Sequence, residues 1–174
     1  MKNREINTAK AGEPCQDGNV AALSHKLLGV LVSLFLGDFM KHLYEVKVYH
    51  ADTDCYGIVW HGSYLRFCEQ ARCEFAATTS TSMQYLENNN ILTPLVEVNI
   101  RYKTPAKVHD TLIIETTVDK LTPIRATMLQ KITNKETGKE VATATVTFVC
   151  TDKEGNLYRK MPDAMYKMLE TLCQ

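Results

Sequence analysis

The amino-acid sequence predicts an α+β fold, in which an antiparallel sheet of about five strands wraps around one long helix. About five segments alternate apolar and polar residues with the period of two that a half-buried strand requires. A single longer segment, between the first and second of them, has its apolar residues at helical spacing instead. Because a single sheet has an apolar face to bury, one long amphipathic helix is its expected cover.

The first strand is predicted over residues 44–50, with Tyr44, Val48 and His50 on the same face. The alternation breaks at Ala51, and residues 51–62 hold two aspartates and two glycines. This composition is typical of a loop with turns.

The long helix is predicted from Ser63, a favoured N-cap residue, to about residue 78. Its apolar residues at i, i+4, i+7 and i+11 form one stripe, which consists of Tyr64, Cys68, Ala71 and Phe75. A shorter helical piece follows over residues 82–89.

The second half of the chain is predicted to be mostly strands, over residues 96–102, 112–119, 126–133 and 140–150, with a closing helix over 162–173. Pro105 ends the first of these strands, and Gly138 suits a hairpin turn between the last two. The late strands are close enough along the chain to pair as an antiparallel meander. The open edges of such a sheet predict the pairing of two subunits.

The composition excludes several classes of protein. The 174 residues carry 20 basic and 20 acidic side chains, so the net charge gives no reason to expect nucleic acid as a partner. None of the six cysteines forms a Cys-x-x-Cys pair, and no zinc-ligand spacing is present, so no structural metal site is expected. A chain of this length can bury its own core without disulfides, which predicts a reducing, cytoplasmic location.

Residues 1–39 differ from the rest and are predicted to be an extension outside the fold, with a single domain over residues 40–174. The apolar run at residues 27–36 is too short to span a bilayer as a helix, so no membrane span is expected. The run has the length of a signal-peptide core, but its basic flank is thin and no small-residue cleavage site follows it. We expect Met40 to be the native start.

The loop before the long helix carries the candidate chemistry. It contains the carboxylate of Asp54 and, seven residues later, the imidazole of His61. The first amides of a helix have no intrahelical acceptor and carry partial positive charge, so they can stabilise a developing oxyanion. Gly57 and Gly62 permit tight turns and a close approach of substrate to the backbone. The pattern is typical of an acyl-transfer site.

One longer string makes the pattern specific: Asp54-x-x-Gly57-Ile58-Val59-Trp60-His61-x-x-Tyr64, followed by Glu69-x-Ala71-Arg72 and later by Tyr102-x-x-Pro105-Ala106-x-x-x-Asp110. This string resembles the 4-hydroxybenzoyl-CoA thioesterase family of hotdog-fold acyl-CoA thioesterases over roughly residues 44–161. It resembles in particular the bacterial branch whose members are often found beside the Tol-Pal envelope system. The resemblance implies a hotdog fold and the hydrolysis of acyl-CoA to a free acid and CoA, without a metal or an organic cofactor. It also implies a dimer or a homotetramer made of two dimers, with the site built between subunits.

The resemblance also implies roles for individual residues. Asp54 is the expected catalytic carboxylate, either as nucleophile or as general base, and His61 is expected to orient substrate or water. The thioester carbonyl is expected at amides around Trp60 and His61. His50 stands where the branch often has Tyr and is expected to replace it as a donor. The other expected substrate contacts are Gly57, Ile58, Val59, Trp60, Tyr64 and, for the CoA phosphates, Lys103, Arg159 and Lys160.

Several alternatives remain open at this stage. Cys55 could act as a nucleophile with His61 as its base. Glu69 is expected to pair with Arg66 and Arg72 on the helix surface, and Asp52 to be a turn residue. A hotdog hydratase or dehydratase and a non-catalytic acyl-CoA-binding or scaffolding module are the competing functions.

Overall fold

The computed structural model describes residues 41–79 and 81–173, so the predictions for residues 1–39 lie outside the described residues. The α+β prediction, with five antiparallel strands and helices, is confirmed. The strands are β1 (His42–Lys47), β2 (Leu95–Tyr102), β3 (Thr111–Leu121), β4 (Arg125–Asn134) and β5 (Glu140–Val149), and the helices are α1 (His61–Ala77), α2 (Met83–Asn88) and α3 (Asp163–Glu170).

The sheet has the strand order β1-β3-β4-β5-β2, and every neighbouring pair is antiparallel. The predicted meander is therefore confirmed for β3, β4 and β5, but β2 pairs with β5 rather than with β3. The chain crosses beneath the start of α1 between β2 and β3. There the amide of Val59 donates to the carbonyl of Ala106 (2.8 Å), and the amide of Val48 donates to that of Asp110 (2.9 Å). This crossing brings the end of β2 next to the loop before α1.

The long helix α1 covers one face of the sheet. The predicted stripe is confirmed, since Tyr64, Cys68, Ala71 and Phe75 are all at most 4% exposed. The cluster around Phe67 includes Leu112 and Ile132 from the sheet. Burial of large aromatic and aliphatic side chains is the main term that holds the helix on the sheet.

A polar network also joins α1 to the sheet through Gln130, which is fully buried. Its amide nitrogen donates to the carbonyl of Cys68 (2.9 Å) and to the hydroxyl of Thr116 (3.1 Å), and its amide oxygen accepts from Arg72 (2.7 Å). The network satisfies polar groups that would be costly to bury alone.

Several predicted boundaries differ by two or three residues; α3, for example, ends at Glu170 rather than at residue 173. Two of the differences lie next to the site. Helix α1 begins at His61 and not after Ser63: the N-cap residue is Trp60, which has no capping side chain, and the Ser63 hydroxyl instead donates to the carbonyl of Asp52 (3.0 Å). Strand β1 ends at Lys47, and His50–Asp52 form a single 3-10 turn. That turn is stabilised by the Asp52 carboxylate, which accepts from the amide of Tyr49 (2.8 Å).

No helix within the described ranges is both long and apolar enough to cross a membrane.

Candidate active site

A cleft of about 310 Å³ opens at the start of α1, between the preceding loop and the end of β2. Six of its lining residues are predicted site residues. Five come from the loop and α1, namely Asp54, Ile58, Val59, His61 and Tyr64, and the sixth is Lys103. Lys103 stands in the run Tyr102, Lys103, Thr104 and Pro105, which forms the other wall where β2 ends. The structure thus brings together the carboxylate, the imidazole and the helix start that the loop sequence predicts.

A short two-stranded loop presents Asp54 to the cleft. Thr53 and Val59 form an antiparallel bridge, and the Asp54 amide donates to the carbonyl of Ile58 (2.9 Å). Gly57 closes the turn with φ +72°, a left-handed conformation that glycine adopts without steric cost. The backbone on both sides of Asp54 is therefore constrained.

The Asp54 carboxylate is held by only one of its two oxygens. Oδ1 accepts a hydrogen bond from the amide of Tyr56 (2.9 Å), and we find no partner for Oδ2 in the described part of the chain. The side chain is partly exposed. One oxygen orients the carboxylate while the other is available to a water molecule or a carbonyl carbon.

The free amides at the start of α1 are those of His61 and Gly62. The amide of Trp60 was expected to donate to the thioester carbonyl, but it already donates to the backbone carbonyl of Asp52 (2.9 Å). The amide of Ser63 donates to the backbone carbonyl of Trp60 (2.8 Å). For His61 and Gly62 we find no acceptor within residues 41–79 and 81–173. The expected pair of donors therefore shifts by one residue, from Trp60 and His61 to His61 and Gly62.

Trp60 lies across this first turn. Its ring centroid is 4.8 Å from that of His61, and a Cβ at residue 62 would overlap the indole. Gly62 is thus needed for the observed position of the ring. Trp60 is half exposed and is not among the residues that line the cleft.

Two tyrosines join α1 to the end of β2. The Tyr102 hydroxyl donates to the carbonyl of His61 (3.0 Å), and its ring centroid lies 5.4 Å from that of Tyr64. Tyr64 is buried and accepts from the amide of Ala106 (3.4 Å), and burial raises the pKa of its phenol. Both tyrosines are thus uncharged donors or acceptors at neutral pH.

Sequence reasoning quoted Tyr102 within a motif but missed it as a site residue. The alternation of β2 places Tyr102 on the same face as Ile100, which packs against the core, and this signal could have found it.

The cationic residues predicted to contact CoA are in different places. Lys103 lines the cleft and bonds to Glu140 (2.5 Å), which keeps the pKa of that carboxyl below its usual range. Arg159 and Lys160 are exposed before α3, and Lys160 pairs with Asp163 (3.0 Å). Neither Arg159 nor Lys160 lines the cleft of this chain.

His50, Gly57 and Cys55 also lie outside the cleft lining. His50 is exposed, and its ring packs edge-on against that of His109, with the centroids 5.7 Å apart. The Cys55 thiol is exposed and is not part of the cleft.

The expected pairing of Glu69 is wrong. Arg66 forms an ion pair with Asp52, and Arg72 is hydrogen-bonded to Gln130, so both arginines have partners outside the helix surface. Asp52 lies in the predicted turn but is only 5% exposed. It also joins the turn to α1 through Arg66 and to the residue before α1 through the amide of Trp60.

A second cavity, of about 440 Å³, lies on another side of α1. Its walls come from α1, α2, α3 and the start of β2, and they are mostly apolar, with Leu65, Leu95 and Met165 as examples. Arg66, Glu69 and Arg72 are its charged residues. No group of three or more His, Cys, Asp or Glu side chains is placed to hold a metal ion anywhere among the described residues.

Comparison with known proteins identifies the family. The profile of the thioesterase-like superfamily matches residues 48–169, which include the loop, α1 and the whole meander. The chain belongs to this superfamily. The thioesterase-like fold that it shares is the hotdog fold, as the resemblance implies.

Relatives of this thioesterase-like chain are acyl-CoA thioester hydrolases. It is 36% identical over 108 residues to the long-chain acyl-CoA thioesterase FadM of Escherichia coli K12, which covers 62% of this chain and 80% of FadM. It is 30% identical over 122 residues to the acyl-CoA thioester hydrolase YbgC of E. coli O6:H1, covering 70% and 90% of the two chains.

Among solved structures, the 1,4-dihydroxy-2-naphthoyl-CoA thioesterase of Synechocystis superposes with a TM-score of 0.69 at 25% identity, covering 75% of this chain and 96% of that one.

Proposed function

We propose that this protein hydrolyses acyl-CoA thioesters and that Asp54 is the catalytic carboxylate. Water adds to the thioester carbonyl carbon, the carbon–sulfur bond breaks, and the products are a carboxylic acid and CoA. Asp54 either takes a proton from the attacking water or attacks the carbonyl itself to form an anhydride, which water then opens. In both routes the free oxygen faces the carbonyl carbon, with one water molecule between them in the first route and in direct contact in the second.

The single observation that carries the proposal is that Asp54 and His61, which carries the first of the two free amides, line one cleft. The amides of His61 and Gly62 lie at the positive end of the α1 dipole and would bind the oxyanion that forms from the thioester carbonyl. Removing one such donor from an enzyme lowers kcat by roughly a hundredfold or more. His61, which also lines the cleft, would orient substrate or water.

CoA would approach over the end of β2. Lys103 lines the cleft and would supply a cation for the CoA phosphates. Arg159 and Lys160, which are exposed just before α3, would supply two more. Ile58 and Val59 present apolar surface to the thioester end of the substrate.

The substrate is assigned at the level of acyl-CoA. The similarity extends to FadM and to YbgC alike, so the relatives support the thioesterase activity rather than one particular branch. The five described cysteines have free thiols, which supports the proposed cytoplasmic location.

We further propose that the working form is a dimer built on β2. This strand is an open edge of the sheet, and Leu95 and Val98 are 47% and 40% exposed although they share a face with the half-buried Ile100. An edge strand with unpaired backbone groups and apolar side chains is a template for a further strand. Antiparallel pairing of β2 with itself about a twofold axis is the simplest closed solution.

This pairing would complete the active site. A twofold axis through Asn99, near the centre of the eight-residue strand, places Tyr102 opposite Val96 of the partner subunit and therefore next to Leu95 of the partner subunit. Tyr102 lines the cleft, whereas Leu95 lines the second cavity. The cleft of one subunit would therefore face the apolar cavity of the other, which is large enough to hold an acyl group.

The experiment is a panel of short-chain, aromatic and long-chain acyl-CoA substrates. Hydrolysis of each substrate is measured as the release of free thiol. We expect thiol release from at least one class. Acyl-CoA binding without thiol release would indicate the binding module instead, and a change in enoyl-CoA absorbance without thiol release would indicate a hydratase; either result would overturn the proposal.

A further inference from the structure

Outside the reacting groups, the most heavily bonded polar side chain of the active-site loop is Asp52. Its carboxylate is only 6% exposed, yet Asp54, two residues later, is open to the cleft. A buried carboxylate costs stability unless it is paired and hydrogen-bonded, so each of its contacts is informative.

The contacts of Asp52 reach in three directions. Oδ1 forms an ion pair with the guanidinium of Arg66 on α1, and Oδ2 accepts from the amide of Tyr49 at the end of the segment after β1. Its backbone carbonyl accepts from the amide of Trp60 (2.9 Å) and from the hydroxyl of Ser63 (3.0 Å). We call Asp52, Arg66 and Ser63 the loop anchor.

The loop anchor fixes the position of the Asp54 carboxylate relative to the two free amides at the start of α1. Residues 52 and 60 lie on opposite sides of the two-stranded loop that carries Asp54, and their hydrogen bond closes that loop at its base. Residue 60 directly precedes the two free amides. Any shift of Asp52 along α1 would therefore change the distance between the Asp54 carboxylate and those amides.

We propose that Asp52 is a positioning residue, which acts through Arg66 and Ser63 to hold the Asp54 carboxylate at the start of α1. Asp52 itself touches no reacting atom, because its carboxylate faces Arg66 and Tyr49 rather than the cleft. The role rests on the proposed thioesterase function. A misplacement of about 1 Å can lower a rate by roughly a hundredfold, so an intact anchor is expected to matter for kcat more than for binding.

The test compares Asp52→Asn, Arg66→Met and Arg66→Lys with the parent enzyme, at a temperature where all are folded. We expect Asp52→Asn to lower kcat by about 10- to 100-fold with less than about a threefold change in KM. Arg66→Met should lower kcat by a similar factor, but it also removes a charge from the second cavity, so its KM is not a criterion. Arg66→Lys keeps a cation and should recover part of the lost kcat. Lys135→Met is the matched control, because it removes an exposed ion pair, with Glu45 (2.6 Å), far from the cleft.

The fluorescence of Trp60, the only tryptophan, gives a second readout that does not depend on activity. Its emission and its quenching by acrylamide should change in the anchor variants and not in Lys135→Met. If Asp52→Asn fails to fold, Arg66→Met still gives a decision, because it leaves the bond between Asp52 and Tyr49 intact.

Two outcomes would overturn the positioning role. One is a lowered melting temperature with kcat within about twofold of the parent and unchanged Trp60 emission, which would mean that Asp52 and Arg66 only stabilise the fold. The other is a kcat loss that Arg66→Met does not share. A parent enzyme without thiol release would refute the proposed function instead, and the Trp60 measurement would then decide on the loop anchor alone.

Discussion

Single residues differ in how far the sequence could predict their place. Asp54 and His61 could be placed because they are seven residues apart where one loop meets a helix, so local spacing brings them together. For Tyr102 the alternation of β2 gives only the face on which it lies, and not its hydrogen bond to His61, which is 41 residues away along the chain. The pairing of Glu69 was wrong for a related reason: helical spacing shows which charges are neighbours, but not that Asp52 and Gln130 compete for Arg66 and Arg72.

His42 gives a prediction for the pH dependence of stability. Its ring packs 5.6 Å from that of Phe75, and burial lowers its pKa below the ordinary 6.5 although Glu74 opposes the shift. Below pH 6.5 the unfolded chain therefore binds more protons at this residue than the folded protein does. The free energy of unfolding should fall as the pH is lowered through 6.5.

The measurement is urea unfolding above and below pH 6.5, for the parent and for His42→Gln. The glutamine variant does not titrate, so its stability should fall less steeply over the same range. Equal slopes for the two proteins would show that His42 does not contribute.

At the scale of elements, the stripe of α1 and the meander were predictable because each follows from a local period. The start of α1 and the place of β2 were not. Ser63 has the composition of an N-cap, but its hydroxyl is used by Asp52, and Trp60 ends up at the cap without a capping side chain. The position of β2 depends on the crossing beneath α1, which is a tertiary contact with no signature in the local sequence.

The packing of α1 on the sheet predicts a large loss from Phe67→Ala. Phe67 is 1% exposed and belongs to the cluster between α1 and the sheet. Truncating a buried phenylalanine removes apolar burial and leaves a cavity, so we expect a loss of about 3 to 5 kcal/mol in the free energy of unfolding. Urea denaturation measures this loss.

Leu65→Ala is the control on the same helix, since Leu65 is 40% exposed. Its expected cost is below about 1.5 kcal/mol, the lower end of what a fully buried side chain contributes. Similar costs at both positions would contradict the packing of α1 described above.

At the scale of the whole molecule, the sheet has two open edges, β1 and β2, and the proposed dimer uses only β2. Val98→Lys places a charge on the exposed apolar face of β2, which disfavours a further strand there. We expect the variant to become monomeric in sedimentation and to lose most of its hydrolysis, because the cleft would then lack the apolar cavity of the partner.

Leu43→Lys makes the same kind of change on β1, the other edge, where Leu43 is 56% exposed. It should leave both the dimer and the activity unchanged. Dissociation of the dimer by Leu43→Lys but not by Val98→Lys would show that the interface is on β1, which would contradict the proposed dimer.

The most direct test of the account is the turnover of Asp54→Asn on the best acyl-CoA substrate, with Asp152→Asn as the matched control. Asp152 also accepts backbone amide hydrogen bonds in a turn, for example from Asn156 (2.7 Å), but it does not line the cleft. The account predicts that Asp54→Asn lowers kcat by roughly a hundredfold or more while the fold is kept, and that Asp152→Asn does not. Equal turnover by Asp54→Asn and the parent would contradict the central claim that this carboxylate acts on the thioester.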